Sequence, residues 1–157
     1  MSFHIRVRAG ALIIKEEKIL LIEFRDENGL HYNLPAGGAE PGESIREAVR
    51  REAMEEACVD VGVGELAFIY EYAPHECGYR FGNTHSLGLM FECELAPGSA
   101  ARMPDRPDAN QTGVKWVALS DLTGIILYPN LADHILDFAS GRKTLPLIEE
   151  NALEEYI

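Results

Sequence analysis
Two apolar runs open the chain. Residues 5–15 (IRVRAGALIIK) and 18–24 (KILLIEF) are rich in Ile, Leu and Val, and the Lys15-Glu16-Glu17-Lys18 link between them is short and polar. That pattern predicts two adjacent strands joined as a hairpin. A polar loop over 25–29 leads to a short strand over 31–34. The Pro- and Gly-rich stretch 35–42 (PAGGAEPG) reads as a loop. Ser44 is a good N-cap, and Glu47 three residues on completes a capping box, so a helix is predicted from about 45 to 58. Further strands are predicted over 65–73 (ELAFIYEYA), 85–95 (HSLGLMFECEL) and 114–118 around Trp116. Residues 96–112 read as loop, and Ser120-Asp121-Leu122 as the start of a turn. Leu131, Ile135, Leu136 and Phe138 give residues 130–139 helical spacing. The tail from about 145 to 157 carries Glu149, Glu150, Glu154 and Glu155 and reads as a solvated acidic segment. Strands, one central helix, more strands and a late helix predict an α/β fold with a mixed sheet and helices packed against it.

Composition narrows the functional classes. The 157 residues fit one domain, 1–157, with its core at about 5–140. Fourteen Lys and Arg against 26 Asp and Glu give a net charge of −12. That argues against nucleic acid and against an anionic membrane as partners, since both favour a basic face. No stretch approaches the ~18 apolar residues of a membrane span, and no signal-peptide pattern is present. Cys58, Cys77 and Cys93 are odd in number, far apart and without a CxxC spacing, so reduced thiols in a cytoplasmic protein are expected rather than disulfides or structural zinc. An acidic chain raises a question of its own if the ligand is also an anion.

The predicted central helix breaks an amphipathic rule. At about 100° per residue, Glu52 and Glu56 fall along the apolar stripe set by Ile45, Ala48 and Val49, with Glu55 beside them. Glu52–Glu56 and Glu52–Glu55 are i,i+4 and i,i+3 pairs of like charge, each destabilising by roughly 0.2–0.5 kcal/mol. Two resolutions are open. The carboxylates are solvated or paired with arginines such as Arg51, or they gather a divalent cation, which hard oxygen ligands suit.

The segment Gly37 to Val59, GGAEPGESIREAVRREAMEEACV, resembles the Nudix box, with Gly37, Glu43, Arg51, Glu52, Ala53, Glu55, Glu56 and Val59 all in register. Leu34-Pro35-Ala36 before it and Trp116-Val117 with Ser120-Asp121-Leu122 after it are similar to the flanks of that family. The resemblance implies a three-layer α/β/α sandwich with a mixed sheet. It implies hydrolysis of a nucleoside diphosphate linked to another group X, with Mg²⁺ or Mn²⁺. On that basis Glu52, Glu55 and Glu56 are the expected metal ligands, joined by the Ala36 carbonyl. Glu43 and Arg51 would tie loop to helix, and Gly37 and Gly38 would let the backbone approach metal and diphosphate. Glu52, Glu55 or a loop carboxylate would serve as general base. Where relatives often carry an acid before the Trp, this chain has Asn110, with Asp108 the nearest acid and Gln111 adjacent. A homodimer is implied by many relatives.

One departure stands inside the box. Cys58 replaces the usual Gly, which implies either a slightly longer helix or another C-cap, with Gly62 as a candidate. Substrate signals are thin. Pro74, 15 residues after Val59, matches a spacing seen in relatives that hydrolyse ADP-ribose. Tyr70, Tyr72, Tyr79 and Phe81 are candidates to stack a base, although Phe68, Tyr70 and Tyr72 also read as one face of a strand. Arg6, Arg8, Arg25, Arg80, Arg102 and Arg106 are candidate phosphate contacts, while His75 and His85 read as incidental. Three functions compete: a metal-dependent diphosphate hydrolase, including a nucleoside triphosphate pyrophosphohydrolase; a nucleotide-binding sensor without turnover; and an isoprenoid diphosphate isomerase, whose extra catalytic elements have no counterpart here.

Overall fold
The structure, a computed structural model, describes residues 4–144 and 146–155. The opening runs form β1 (Arg6–Lys15) and β2 (Lys18–Asp26). Between them Glu16 and Glu17 both take the left-handed conformation, with φ of 51° and 62°. That pair matches the type I′ turn favoured by tight hairpins. β3 (Gly29–Asn33) continues the meander on β2. Residues 35–42, read from sequence as loop throughout, contain a short strand, β4 (Ala36–Gly38), antiparallel to the start of β1. The chain then enters α1 (Ile45–Ala57), β5 (Val61–Tyr72), β6 (Ser86–Leu95) and β7 (Gln111–Ala118). It ends through α2 (Ala132–Ala139) and β8 (Leu147–Glu149).

The strands make one eight-stranded sheet in the order β3-β2-β1-β6-β5-β8, with β4 on β1 and β7 on β2. β1 runs parallel to β6, β5 parallel to β8, and the remaining pairs are antiparallel. The sheet is mixed, as its element order implies. Burial on both faces explains why β1 and β2 are almost continuously apolar. Ala9, Ala11, Ile13, Leu20 and Ile22 pack toward Ala48, Val49, Ala53 and Ala57 of α1. Their neighbours Leu12, Ile19 and Leu21 pack with Leu122, Leu127, Leu131 and Ile135 on the opposite side. The period-2 alternation thus supplies two cores, one under each helical layer, which is the expected α/β/α sandwich.

Two other expectations need correction. Cys58 does not pass the cap on to Gly62, which lies in β5. Cys58 itself adopts the left-handed conformation (φ 56°, ψ 29°), and its N–H donates to the Met54 carbonyl. The capping geometry therefore matches what Gly would give, at a steric cost a Cβ imposes. The acidic tail is not wholly solvated either. β8 pairs with β5, Ile148 is buried in the core, and Glu150 is buried with its carboxylate accepting from the Tyr70 hydroxyl at 2.7 Å. Glu149, Glu154 and Glu155 are exposed. Leu145, Tyr156 and Ile157 of that tail lie outside the described residues.

Candidate active site
α1 starts where its sequence says it should. Ser44 accepts from the Glu47 N–H, and the Glu47 carboxylate accepts from the Ser44 N–H, closing the capping box. The register fixed by this start turns Ala48, Val49, Glu52, Ala53, Glu56 and Ala57 inward. Glu52 and Glu56 are buried, at 8% and 6% exposure, while Glu55 is exposed at the stripe's edge. Burial of the charged form pushes both inward carboxyls up, and the Glu56 value rises to about 8. Neighbouring Glu52 and Asp108 add to the rise at Glu56, and the Ala36 N–H, donating at 2.9 Å, opposes it.

Arg51 organises the rest. Its Nε and Nη2 donate to the two oxygens of Glu43 at 2.9 and 2.7 Å, a bidentate pair. Nη2 also donates to the Gly38 carbonyl at 2.9 Å. Nη1 donates to Glu52 at 2.7 Å and to Glu55 at 3.3 Å. One guanidinium thus gathers three box glutamates and a loop carbonyl. Glu43 in turn accepts from the Glu40 N–H at 2.8 Å. The Arg51 bonds hold the Glu43 carboxyl below the usual carboxylate range.

β4 is the partition of the site. Strand alternation sends successive positions to opposite faces. A Cβ on Gly37 would collide with the Glu52 carboxyl, so this position has to be bare on the α1 side. A Cβ on Gly38 would lie 2.7 Å from Nη2 of Arg6, on the other side. Beyond that side lies a cleft of about 410 Å³ lined by Arg6, Arg8, Asn33, Tyr72, Phe81 and Tyr128. Its inner end reaches Ala36, Tyr70 and Met90. Arg8 shares this end, close enough to Glu52 and Glu56 to feel their charge.

The loop before β7 is tied to the helix end. Gln111 is buried, and its Nε2 donates to the Glu56 carbonyl at 2.9 Å. The Arg102 N–H donates to the Ala57 carbonyl at 3.0 Å. These satisfy C-terminal carbonyls the helix leaves open. Asp108 lies near Glu56 on this loop and is exposed, and Asn110 sits at φ 69°.

Of the candidates named from sequence, Glu43, Arg51, Glu52, Glu55, Glu56, Ala36, Gly37 and Gly38 converge here. Phe68, Tyr70 and Tyr72 share a face of β5, and Tyr70 and Tyr72 also reach the cleft. Arg25, Arg80, Arg102 and Arg106 are exposed and do not line it. Pro74 begins a 3-10 turn over Pro74–Glu76 and accepts from the Cys77 and Tyr79 N–H groups, a structural task. His85 contacts Glu71 across the β5–β6 pair at 2.8 Å. Asn33, Tyr128 and Glu150 were missed, because nothing in their local sequence distinguishes them from ordinary loop and tail residues.

Among the described residues, no three His, Cys, Asp or Glu side chains converge as a ready metal cluster. Glu52 and Glu55 are turned to Arg51, and Glu56 to the Ala36 N–H. The donor set still suits a hard cation. It is all oxygen, and Glu56 is buried with no ion pair among the described residues, a state that a nearby positive charge relieves.

The NUDIX domain family model matches residues 4–138, and the chain belongs to that family. It is 30% identical over 133 residues to the NAD-capped RNA hydrolase NudC of Pseudomonas putida, covering 84% of this chain but 43% of that protein. The chain therefore spans under half the length of that relative. A putative 8-oxo-dGTP diphosphatase from Bacillus subtilis is 29% identical over 136 residues, covering 84% of this chain and 80% of that one. A NUDIX hydrolase structure from Nitrosomonas europaea superposes with a TM-score of 0.70 at 26% identity, covering 98% of each chain. An ADP-ribose pyrophosphatase from Streptococcus suis shares the fold, with a TM-score of 0.63 at 23% identity over 93% of this chain and 99% of that one.

Proposed function
We propose that this protein hydrolyses the diphosphate linkage of a nucleoside diphosphate joined to a group X, with Mg²⁺ or Mn²⁺ as cofactor. The observation that carries the reading is the pair of buried carboxylates, Glu52 and Glu56, set on the core-facing stripe of α1 against β4. A purely structural helix has no reason to bury two like charges one turn apart. Glu52, Glu55 and Glu56 would hold the cation, with the Ala36 carbonyl as a further oxygen. When bound, the cation neutralises phosphate charge and lowers the pKa of a coordinated water.

The chain's own groups have separable tasks. Arg51 pins Glu43 and the β4 loop to the helix, and so fixes where Glu52 and Glu55 stand. Gly37 leaves room for the Glu52 carboxyl. Gln111 and the Arg102 N–H fix the helix end that carries Glu56. A carboxylate within hydrogen-bond reach of the attacking water is needed to accept its proton. Glu52, Glu55 and Asp108 are the candidates.

The names of the relatives, which concern NAD-capped RNA, 8-oxo-dGTP and ADP-ribose, share a nucleotide diphosphate core. A net charge of −12 favours a small nucleotide over an RNA chain. The deciding experiment incubates purified protein with ADP-ribose, NADH, NAD-capped RNA, nucleoside triphosphates and coenzyme A, reading products with Mg²⁺, with Mn²⁺ and with chelator. Turnover that needs the cation and vanishes in Glu56→Gln is the expected result. No turnover on any compound with either metal would favour the sensor reading.

A further inference from the structure
The face of the sheet that carries α1 is only partly covered by it. α1 packs on Ala9, Ala11 and Ile13 of β1 and on Phe91 and Cys93 of β6. Paired residues on neighbouring strands point to the same side, so the register extends that face outward. Val7 lies opposite Leu87, Ile69 opposite both Leu89 and Leu147, and Leu66 opposite Phe91. Together they form one apolar strip across β1, β6, β5 and β8. It is not sealed: Val7, Leu66 and Leu147 are 40%, 44% and 43% exposed. β8 shows the contrast between its two faces. Ile148 is buried in the core on the other face, while its neighbour Leu147 stands in water. Contiguous exposed aliphatic surface of this kind marks an interaction site. The two ends of the strip differ in charge. At the Phe91 end the Arg46 guanidinium lies over the Phe91 ring at 5.2 Å and donates to the Val63 and Gly64 carbonyls. Arg50, one turn on along α1, is exposed on the same side of the helix, and both arginines lie close enough to Cys93 to oppose the rise that burial gives its thiol. At the other end Glu71 and Glu149 sit directly opposite one another on β5 and β8. His85 contacts Glu71 at 2.8 Å, but neither carboxylate meets a Lys or Arg among the described residues. Like charges directly opposite destabilise a strand pair.

We propose that this strip is a self-association surface, and that its occupant is a second copy of the chain, related by a two-fold axis that lies between the two faces and perpendicular to the strands. That operation lays one apolar strip on the other and reverses its direction. Arg46 and Arg50 of each copy then face Glu71 and Glu149 of the other, so one isologous contact answers both ends at once. It covers the exposed leucines and gives the paired glutamates the cations they lack within the chain. A uniformly basic partner meets repulsion at the arginine end, and a uniformly acidic one at the glutamate end. A second copy carries the charges in the required reversed order by symmetry.

The test is sedimentation velocity of the whole chain over about 1–100 μM, where wild type is expected to pass from monomer to dimer. Leu66→Gln and Leu147→Gln change exposed positions, so the fold should survive, as circular dichroism checks, while association weakens about tenfold or more in each. Tyr79→Asn alters an exposed aromatic outside the strip, at a left-handed position that Asn tolerates, and should leave association unchanged. Charge exchange tests the direction of the contact. Arg50→Glu and Glu149→Arg should each weaken the dimer about tenfold, and the two combined in one chain should recover most of the loss, because each new carboxylate then faces a new guanidinium. A wild type still monomeric at about 100 μM would overturn the proposal. So would association indifferent to both Leu66→Gln and Leu147→Gln, or a combined charge variant as weak as the two single losses added together.

Discussion
The two sides of β4 handle charge in opposite ways. On the α1 side, Arg51 is saturated: it makes five hydrogen bonds to Glu43, Glu52, Glu55 and the Gly38 carbonyl. On the cleft side, Arg8 is half-buried with an orphaned Nε–H, and Asn33 keeps an unsatisfied acceptor. The first side is tied together by hydrogen bonds within the protein, although one guanidinium leaves an excess of carboxylate there. The second has polar groups with no partner among the described residues. Two arginines, both beside buried carboxylates, thus serve different ends, and only the geometry around each tells them apart.

That contrast can be attacked directly. The largest effect belongs to Arg51→Ala, which strands Glu43, Glu52 and Glu55 without their cation. Denaturant unfolding should register a loss of about 3–5 kcal/mol. A loss comparable to an ordinary surface substitution would mean the network is decorative. Arg8→Gln removes a partly buried charge whose Nε–H has no partner among the described residues, so it should raise Tm by about 2–4 °C, and the two variants together decide whether the sides truly differ.

Next comes pH dependence in metal-free protein. Glu56 has a folded value of about 8, above the ordinary 4.5. Its contribution is therefore intact below the unfolded value and is lost as pH rises through about 8. Stability in chelator should fall by a few kcal/mol between those limits, and Glu56→Gln should flatten the fall while matching wild type at low pH. Added Mg²⁺ should restore stability to wild type at pH 8 and not to the variant. An unchanged slope in Glu56→Gln would remove Glu56 as its source.

Gly37→Ala forces the Glu52 carboxyl to move. Because that carboxyl is the flexible end of a side chain, the expected loss of stability is small, about 1 kcal/mol, but cation affinity by calorimetry should drop about tenfold or more. The smallest effect is at the helix end. Cys58→Gly relieves a left-handed residue and should add about 1 kcal/mol with no change in cation binding. A destabilised Cys58→Gly would show that the thiol side chain packs more favourably than its backbone conformation costs.

What could be read from the residues alone follows from local rules. The hairpin, the capping box at Ser44 and the wheel position of Glu52 and Glu56 depend on neighbours within a few residues, and each appears in the structure. Cys58 shows where such reading fails: propensity pointed away from a left-handed residue, but the fixed ends of α1 and β5 impose the turn whatever side chain is there. The tail fails for a related reason. A run of glutamates looks solvated until a parallel pairing with β5, some 80 positions earlier, places Glu150 under the Tyr70 hydroxyl.

By itself the sequence determined the family, the α/β alternation and the cluster of box carboxylates, because periodicity and fixed spacing carry that information along a single helix and its preceding loop. The tertiary structure alone decided which face of β4 each glycine serves, and that Arg51 is paired while Arg8 is not. It also brought Asn33, Tyr72, Phe81 and Tyr128 around one cleft. Those facts depend on which strands become neighbours and which side chains are left facing one another, and no local pattern encodes a hydrogen bond that the chain leaves unmade.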